Sequence, residues 1–420
     1  MGDLATFVAG LKSTGTDRYR NPDERPRNFR EAILWLDPNG MTPLTALSAK
    51  MKSETTDDPE INWWEEVLGP KRAKIDGNHT IADTTIAVID PGTTGDGVWA
   101  DDPGFQFTVG DLLRIQDVAN GEGDAPYASN EEIVIVTAVA ATTVTVTRGY
   151  AGTAAAITDG DFLVLVGKAF GEGTASPNTK VNIPVQNTNY TQIFKTAFEL
   201  TNTVRQTRFR TGDAFQNDRK RAMFNHSEAL EQACFWGIAA QKVTTGDNPL
   251  RLMGGIRYYL SSHVDGDLGA PITEDFFIDT VHPVFDFNAG GAGDQRICFL
   301  GNSALNAIQK VQRDADSTRL NYQGKIDFMG LKLLEYQIPQ GTFFFKTHPL
   351  FNVDPVWTKA MFVINPKGII MRPLRGRDTK IQKEIQANDL DTRKDQWLTE
   401  TSMELHFERT MAFYGNVRSA

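Results

Sequence analysis

Two cysteines and six histidines in 420 residues leave little material for thiol or metal chemistry. Cys234 and Cys298 sit in the apolar contexts QACFWG and RICFLG, which reads as two buried thiols in a reducing compartment rather than a disulfide. The histidines (His79, His226, His263, His282, His348, His406) are scattered singly. None makes an H-x-x-x-H pair or stands at ligand spacing from a cysteine, which argues against zinc. No stretch approaches the roughly 20 consecutive apolar residues of a membrane span. The start, MGDLATFVAG, lacks the basic-then-apolar layout of a secretory signal, and its short fit to an acylation pattern carries no weight. There is no G-x-x-x-x-G-K-[ST] and no G-x-S-x-G. NAGGAGDQ (Asn288–Gln295) has the glycines of a phosphate loop without its register, and reads as a connection between domains. Asp57-Asp58 and Glu65-Glu66 are adjacent carboxylates, but adjacency says nothing about two groups converging across a cleft. No enzyme, cofactor or metal is expected.

What is present is ordinary in amount and uneven in place. A chain of 420 residues, 40% hydrophobic and 23% charged, has room for two or three domains with cores. Between Gly77 and Glu172, fourteen Asp and Glu face only Arg114, Arg148 and Lys168, a local charge of −11 within a total of −10, so the remainder is close to +1. A near-neutral body can pack against copies of itself, whereas an acidic stretch reads as something held in solvent, and a solubilising face with no further purpose fits it equally well.

The first 60 residues read as an arm: RYRNPDERPRN is polar and Pro-containing, and FREAILWLDP allows a short helix stopped by Pro38. Short strands are expected at Thr85–Ile89, Leu112–Gln116, Glu132–Val139, Thr142–Thr147 and Phe162–Val166, punctuated by Gly, Asp and Asn, as in a small barrel or sandwich. Gly212–Ile238 reads as a long amphipathic helix capped by Asp213, with Phe215, Ala222, Ala229, Ala233 and Gly237 on one stripe. ITEDFFIDTVHPVFDF reads as a second helix, capped by Thr273 and ended or kinked by Pro283. A helix over Ser303–Ala315 precedes strands at Leu331–Tyr336, Thr342–Lys346 and Met361–Ile370. The run TSMELHFERTMAFYGNV (Thr401–Val417) alternates, with Met403, Leu405, Phe407, Met411 and Phe413 on one face and Glu404, His406 and Glu408 on the other, the period of one half-buried strand.

Two features invite partners. Trp63 and Trp64 are neighbours, so in a strand one faces the subunit and the other faces elsewhere, for example a second copy. Arg205, Arg208, Arg210, Arg219, Lys220 and Arg221 form a basic segment. It suits DNA phosphates or a solvated face, and only Phe209 and Phe215 lie near it for base stacking.

This order of parts resembles the major capsid proteins of tailed bacteriophages with the HK-ninety-seven-type fold. The likeness is to a branch carrying a β module inserted near the extended loop. It is carried by LDPNGMTPLTAL with the later tryptophans, by VGDLLRI, EEIVIVTAV, TVTVTRGYAGT and DGDFLVLV, by NTNYTQIF, by MGGIRYYL after the long helix, and by GRDTKIQKEIQANDLD before the final alternating run. The resemblance implies an α+β capsid fold: an N-terminal arm (1–60), an extended loop (61–76 and 172–210), an inserted all-β domain (77–171), a peripheral domain with its spine helix (211–288 and 375–420) and an axial domain (289–374). It implies hexamers and pentamers of an icosahedral or prolate shell around double-stranded DNA, touched non-specifically. Portal and scaffolding proteins are expected partners, a decoration protein is an optional one, and assembly takes place in the host bacterial cytoplasm. Inter-subunit contacts are expected at Trp63, Trp64, Tyr190, Phe194, Arg205, Arg208, Arg210, Arg219 and Arg221. A neck or tail protein and a bacterial nanocompartment shell protein are the alternatives, with a carbohydrate-active enzyme a distant third.

Overall fold

The computed structural model describes residues 53–66, 72–88, 107–116, 132–140, 142–173, 184–209, 212–243, 248–273, 275–286, 295–314, 322–328 and 331–419. The arm before Ser53, the expected helix over Phe29–Pro38, most of the glycine-rich Asn288–Gln295 link and Arg210 lie outside the described residues. The chain forms two compact units: a smaller one from residues 196–225 and 381–397, and a larger one from the other described residues.

In the larger unit, six strands follow the order Arg72–Lys74, Phe162–Lys168, Asp111–Gln116, Ile133–Val139, Thr143–Ala151, Thr85–Ala87. An Ile75–Val88 bridge joins the two outer strands, so the sheet closes on itself as a small barrel. Val134, Val136, Val144, Val146, Leu113 and Leu163 alternate inward along their strands and fill it. Two turns use one device, Thr-x-Gly-Asp. Thr108 and Thr158 donate their backbone N–H to Asp111 and Asp161, each at 2.8 Å, and the intervening Gly110 and Gly160 take φ of +87° and +93°. The buried Glu132 receives the Arg148 guanidinium at 2.8 and 2.7 Å. The barrel begins earlier than the sequence reading placed it, because Arg72–Lys74 pairs Phe162–Lys168 and Ala73 and Ile75 are in its core.

A seven-stranded sheet runs in the order Val264–Asp265, Ala412–Tyr414, Met361–Ile364, Gln295–Leu300, Gly341–Thr347, Leu331–Ile338, Tyr322–Phe328. Its side chains divide by the period of two. Ile297, Phe299, Phe344, Phe362 and Phe413 join Leu230, Cys234 and Phe235 of the long helix. Cys298, Leu300, Phe343, Phe345 and Val363 join Phe277, Val281 and the helix Asn302–Asp314. Both cysteines are buried and free, and burial pushes both thiols up from their ordinary values.

Several expectations are corrected here. Met361–Ile370 is two strands in different sheets, because Asn365–Gly368 turns the chain. The final alternating run is also two strands. Thr392–Leu405 ends before Phe407, which takes φ +56°, and a 3₁₀ turn over Glu408–Thr410 leads to Ala412–Tyr414. That last strand enters the seven-stranded sheet beside Met361–Ile364, and its Phe413 packs against Trp236 of the long helix at 5.7 Å between ring centroids. Residues 398–405 are buried on both faces, so strict alternation did not mean one wet side. The long helix is Ala214–Trp236, but its buried stripe is Ala222, His226, Leu230 and Cys234, with Ala229 exposed. The stripe's phase was missed because His226 and Glu231 are core residues: His226 meets the Thr399 hydroxyl at 2.7 Å and Glu231 meets His348 at 2.9 Å. The second helix is shorter and irregular, a π turn over Phe277–Val281 followed by a 3₁₀ turn over His282–Phe285 with Pro283 in its first positions.

Candidate functional site

Glu60–Glu65 and Val185–Tyr190, the strands flanking the barrel segment in sequence, pair antiparallel with Glu60 opposite Tyr190 and Glu65 opposite Val185. Alternation then sorts the two tryptophans. Trp63 is 5% exposed and packs on Tyr259 with ring centroids 5.5 Å apart, whereas Trp64 is 61% exposed. Glu60, Asn62, Trp64 and Glu66 together make the outer face. The ribbon is anchored at Asn189, whose buried amide donates to the carbonyls of Gly254 (3.1 Å) and Met403 (2.6 Å) while its oxygen accepts from the Gly254 N–H at 2.8 Å.

A ladder of charge ties the same limb to the C-terminal strand. Arg372 bridges Glu54 (2.6 Å) and Glu404 (3.0 Å). His406 bridges Glu404 (3.1 Å) and Glu65 (3.4 Å). Glu65 also accepts from the Trp63 indole at 3.1 Å and from the Phe407 N–H at 3.0 Å. Hydrogen bonds to Glu404 and then to Glu65 outweigh the desolvation of His406 and raise its pKa to about 9.

In the smaller unit, the short helix Asn202–Gln206 and the start of the long helix border a cavity of about 660 Å³. Asp213 caps the long helix, its carboxylate accepting from the Phe215 N–H at 2.9 Å. Arg205, Arg208, Arg219, Lys383 and Arg393 line the cavity, against the carboxylates of Asp213 and Asp395. Arg393 is engaged, lying 4.8 Å from the centre of the Phe215 ring and reaching Asp395 at 3.5 Å. Arg219 lies 5.6 Å from the Trp397 ring centre. Among the described residues, Arg205, Arg208 and Lys383 have no carboxylate partner. Phe209, exposed, sits on the cavity wall.

The expected interface residues therefore separate. Trp63 and Phe194 are spent inside the chain, Phe194 with its ring edge-on to His226. Tyr190 is half-buried on the ribbon and Trp64 points outward. Arg205, Arg208 and Arg219 converge on the cavity, Arg221 is exposed on the helix outside its lining, and Arg210 is not described. The sequence reading missed Lys383, which lies in the motif GRDTKIQKEIQANDLD, and Arg393 and Asp395, which follow it. It also placed Glu404 and Glu408 on a wet face. In fact Glu404 is buried in the ladder, and Glu408 receives the N–H groups of Ser261 and Ser262 at 3.2 and 3.1 Å. Among the described residues no three His, Cys, Asp or Glu side chains converge to hold a metal ion, and no helix is long and apolar enough to cross a membrane.

A family model described as SU10 major capsid protein matches residues 9–418. The major capsid protein of Pseudomonas phage PaMx41 is 24% identical over 370 residues, covering 86% of this chain and 82% of that protein. Among solved structures, the Cyanophage A-1(L) capsid asymmetric unit superposes with a TM-score of 0.48 at 8% identity, covering 94% of this chain and 98% of that one. The capsid of Myoviridae phage XM1 gives 0.45 at 6% identity, covering 96% and 100%.

Proposed function

Because the chain belongs to the SU10 major capsid protein family, a structural component of a phage shell, we propose that it works purely by geometry, as a self-assembling tile of hexameric and pentameric capsomers. The observation that carries this reading is the two-stranded ribbon with an outward Trp64. A large aromatic ring held at 61% exposure on a paired strand leaves most of its apolar surface available to a partner. Offered to a second copy, it supplies the rigid apolar anchor around which interfaces concentrate their energy. Many modest contacts repeated over a closed shell sum to stable assembly without any single strong one.

The match over residues 9–418 favours a head protein over the neck, tail and nanocompartment alternatives. Double-stranded DNA inside the shell, a portal, a separate scaffolding protein, an optional decoration protein and assembly in the host cytoplasm complete the proposal. So does the division into arm, extended loop, inserted barrel, peripheral domain and axial domain, with the barrel now starting at Arg72. No reaction is assigned to any residue.

Negative-stain microscopy of the purified chain tests the reading. Closed shells or capsomers are the expected outcome, and Trp64→Ala reduces their yield while leaving the monomer's melting temperature unchanged. A protein that stays monomeric at high concentration, with or without Trp64, overturns it.

A further inference from the structure

We propose that the cavity between the Asn202–Gln206 helix and the start of the long helix binds a nucleoside triphosphate, its phosphates on Arg205, Arg208 and Lys383 and its base on Phe209. The inference concerns a single copy and does not depend on the shell reading.

The charge of the cavity is unbalanced. Five cationic side chains line it against two carboxylates, an excess of three positive charges. Both carboxylates are already engaged. Asp213 accepts from the Phe215 N–H at 2.9 Å, and the buried Asp395 accepts from the Glu384 N–H at 2.9 Å and from Arg393 at 3.5 Å. Arg393 and Arg219 lie against the rings of Phe215 and Trp397. Among the described residues, Arg205, Arg208 and Lys383 have no carboxylate partner. Gathering three such cations in one cavity is unfavourable until an anion joins them.

Size and lining select the anion. A volume of about 660 Å³ lies in the range of pockets that enclose an organic ligand, far more than a lone carboxylate fills. Guanidinium groups meet phosphate oxygens through paired hydrogen bonds, and linked phosphates bring enough charge to offset the excess of three. Phe209 is 41% exposed on the cavity wall, and a nucleobase stacks on such a ring whatever its identity. Duplex DNA would present its phosphates on a convex surface with its bases stacked inside, so the ring would go unused.

The test is displacement of a fluorescent ATP analogue from the unassembled full-length chain, followed by anisotropy at about 0.05 M salt without divalent cations. ATP, tripolyphosphate, adenosine and a short DNA duplex serve as competitors. ATP is expected to displace the probe at about tenfold lower concentration than tripolyphosphate, and adenosine not to displace it. R205Q/R208Q is expected to lower ATP affinity at least about tenfold, and Phe209→Ala to remove the advantage of ATP over tripolyphosphate. These side chains are exposed, so folding is expected to persist, with circular dichroism and thermal melts as the check. K220Q/R221Q alters two exposed cations of the same helix outside the cavity lining, and should change affinity less than about twofold. Four results overturn the inference: no saturable binding, an equal loss in K220Q/R221Q, ATP no better than tripolyphosphate, or a duplex that displaces the probe more readily than ATP does.

Discussion

His406 sits between two carboxylates that belong to strands far apart in sequence, Glu65 on the loop limb and Glu404 on the long strand, with Arg372 and Glu54 extending the row. Its folded pKa, about 9, stands above the ordinary 6.5, so its contribution is complete below about pH 6.5 and is lost as pH rises through about 9. The full shift would correspond to about 3 kcal/mol, and screening of the partly exposed ring reduces this to about 1–2 kcal/mol. Melting temperatures measured between about pH 6 and 10 should fall over the upper half of that range in the unaltered chain. In His406→Gln the curve should be lower at neutral pH and flatter, and identical slopes in the two proteins would contradict the ladder. A second residue-scale case is steric. A Cβ on Gly237 would lie 2.3 Å from the Met253 carbonyl oxygen, and one on Gly255 would lie 2.6 Å from that of Ala233. Backbone cannot give way as a side-chain tip can, so Gly237→Ala should cost about 2–3 kcal/mol in urea unfolding. Neither feature was legible in the sequence: MGGIRYYL marked a turn, but the helix end packed against it is a tertiary fact, as is each rung of the ladder.

At the scale of elements, legibility followed how local the cause of each element is. The barrel strands were readable because their turns are written in short motifs, TVGD and TDGD, and their cores in Val and Leu alternation. The long helix was readable in length but not in phase, because hydrophobicity counts against His226 and Glu231 while the fold buries both with partners from other segments. The final run read as one strand because alternation continues through a left-handed Phe407, where the chain changes sheet. The candidate site was half legible: Trp64 and the arginines were visible, and Lys383 was not. The barrel yields its own prediction. Residues 70–171 produced alone should give a soluble, cooperatively melting β protein, whereas residues 77–171, lacking the outer strand Arg72–Lys74 and the Ile75–Val88 bridge, should melt at least about 10 °C lower or not fold. Equal stability of the two would place the boundary where the sequence first suggested it.

For the whole molecule the governing quantity is the split of charge. The stretch Gly77–Glu172 carries −11 and the rest about +1. In an assembly of identical chains the acidic barrels repel one another at a range set by salt, with a screening length of about 10 Å at 0.1 M. The contact proposed at Trp64 is apolar and is not weakened by the same ions. Only the repulsion is screened, so assembly of the unaltered chain should increase as salt rises from about 0.05 to 0.5 M. Replacing residues 72–171 with a short glycine-serine bridge removes the repulsive part. Such a bridge fits because Glu65 and Val185 already face each other across the ribbon. In that shortened chain, light scattering should show assembly independent of salt. If both chains show the same profile, the barrels do not feel one another and their charge serves only solubility. If the shortened chain assembles less well as salt rises, the attraction between copies is ionic, and charged side chains rather than Trp64 govern the contact.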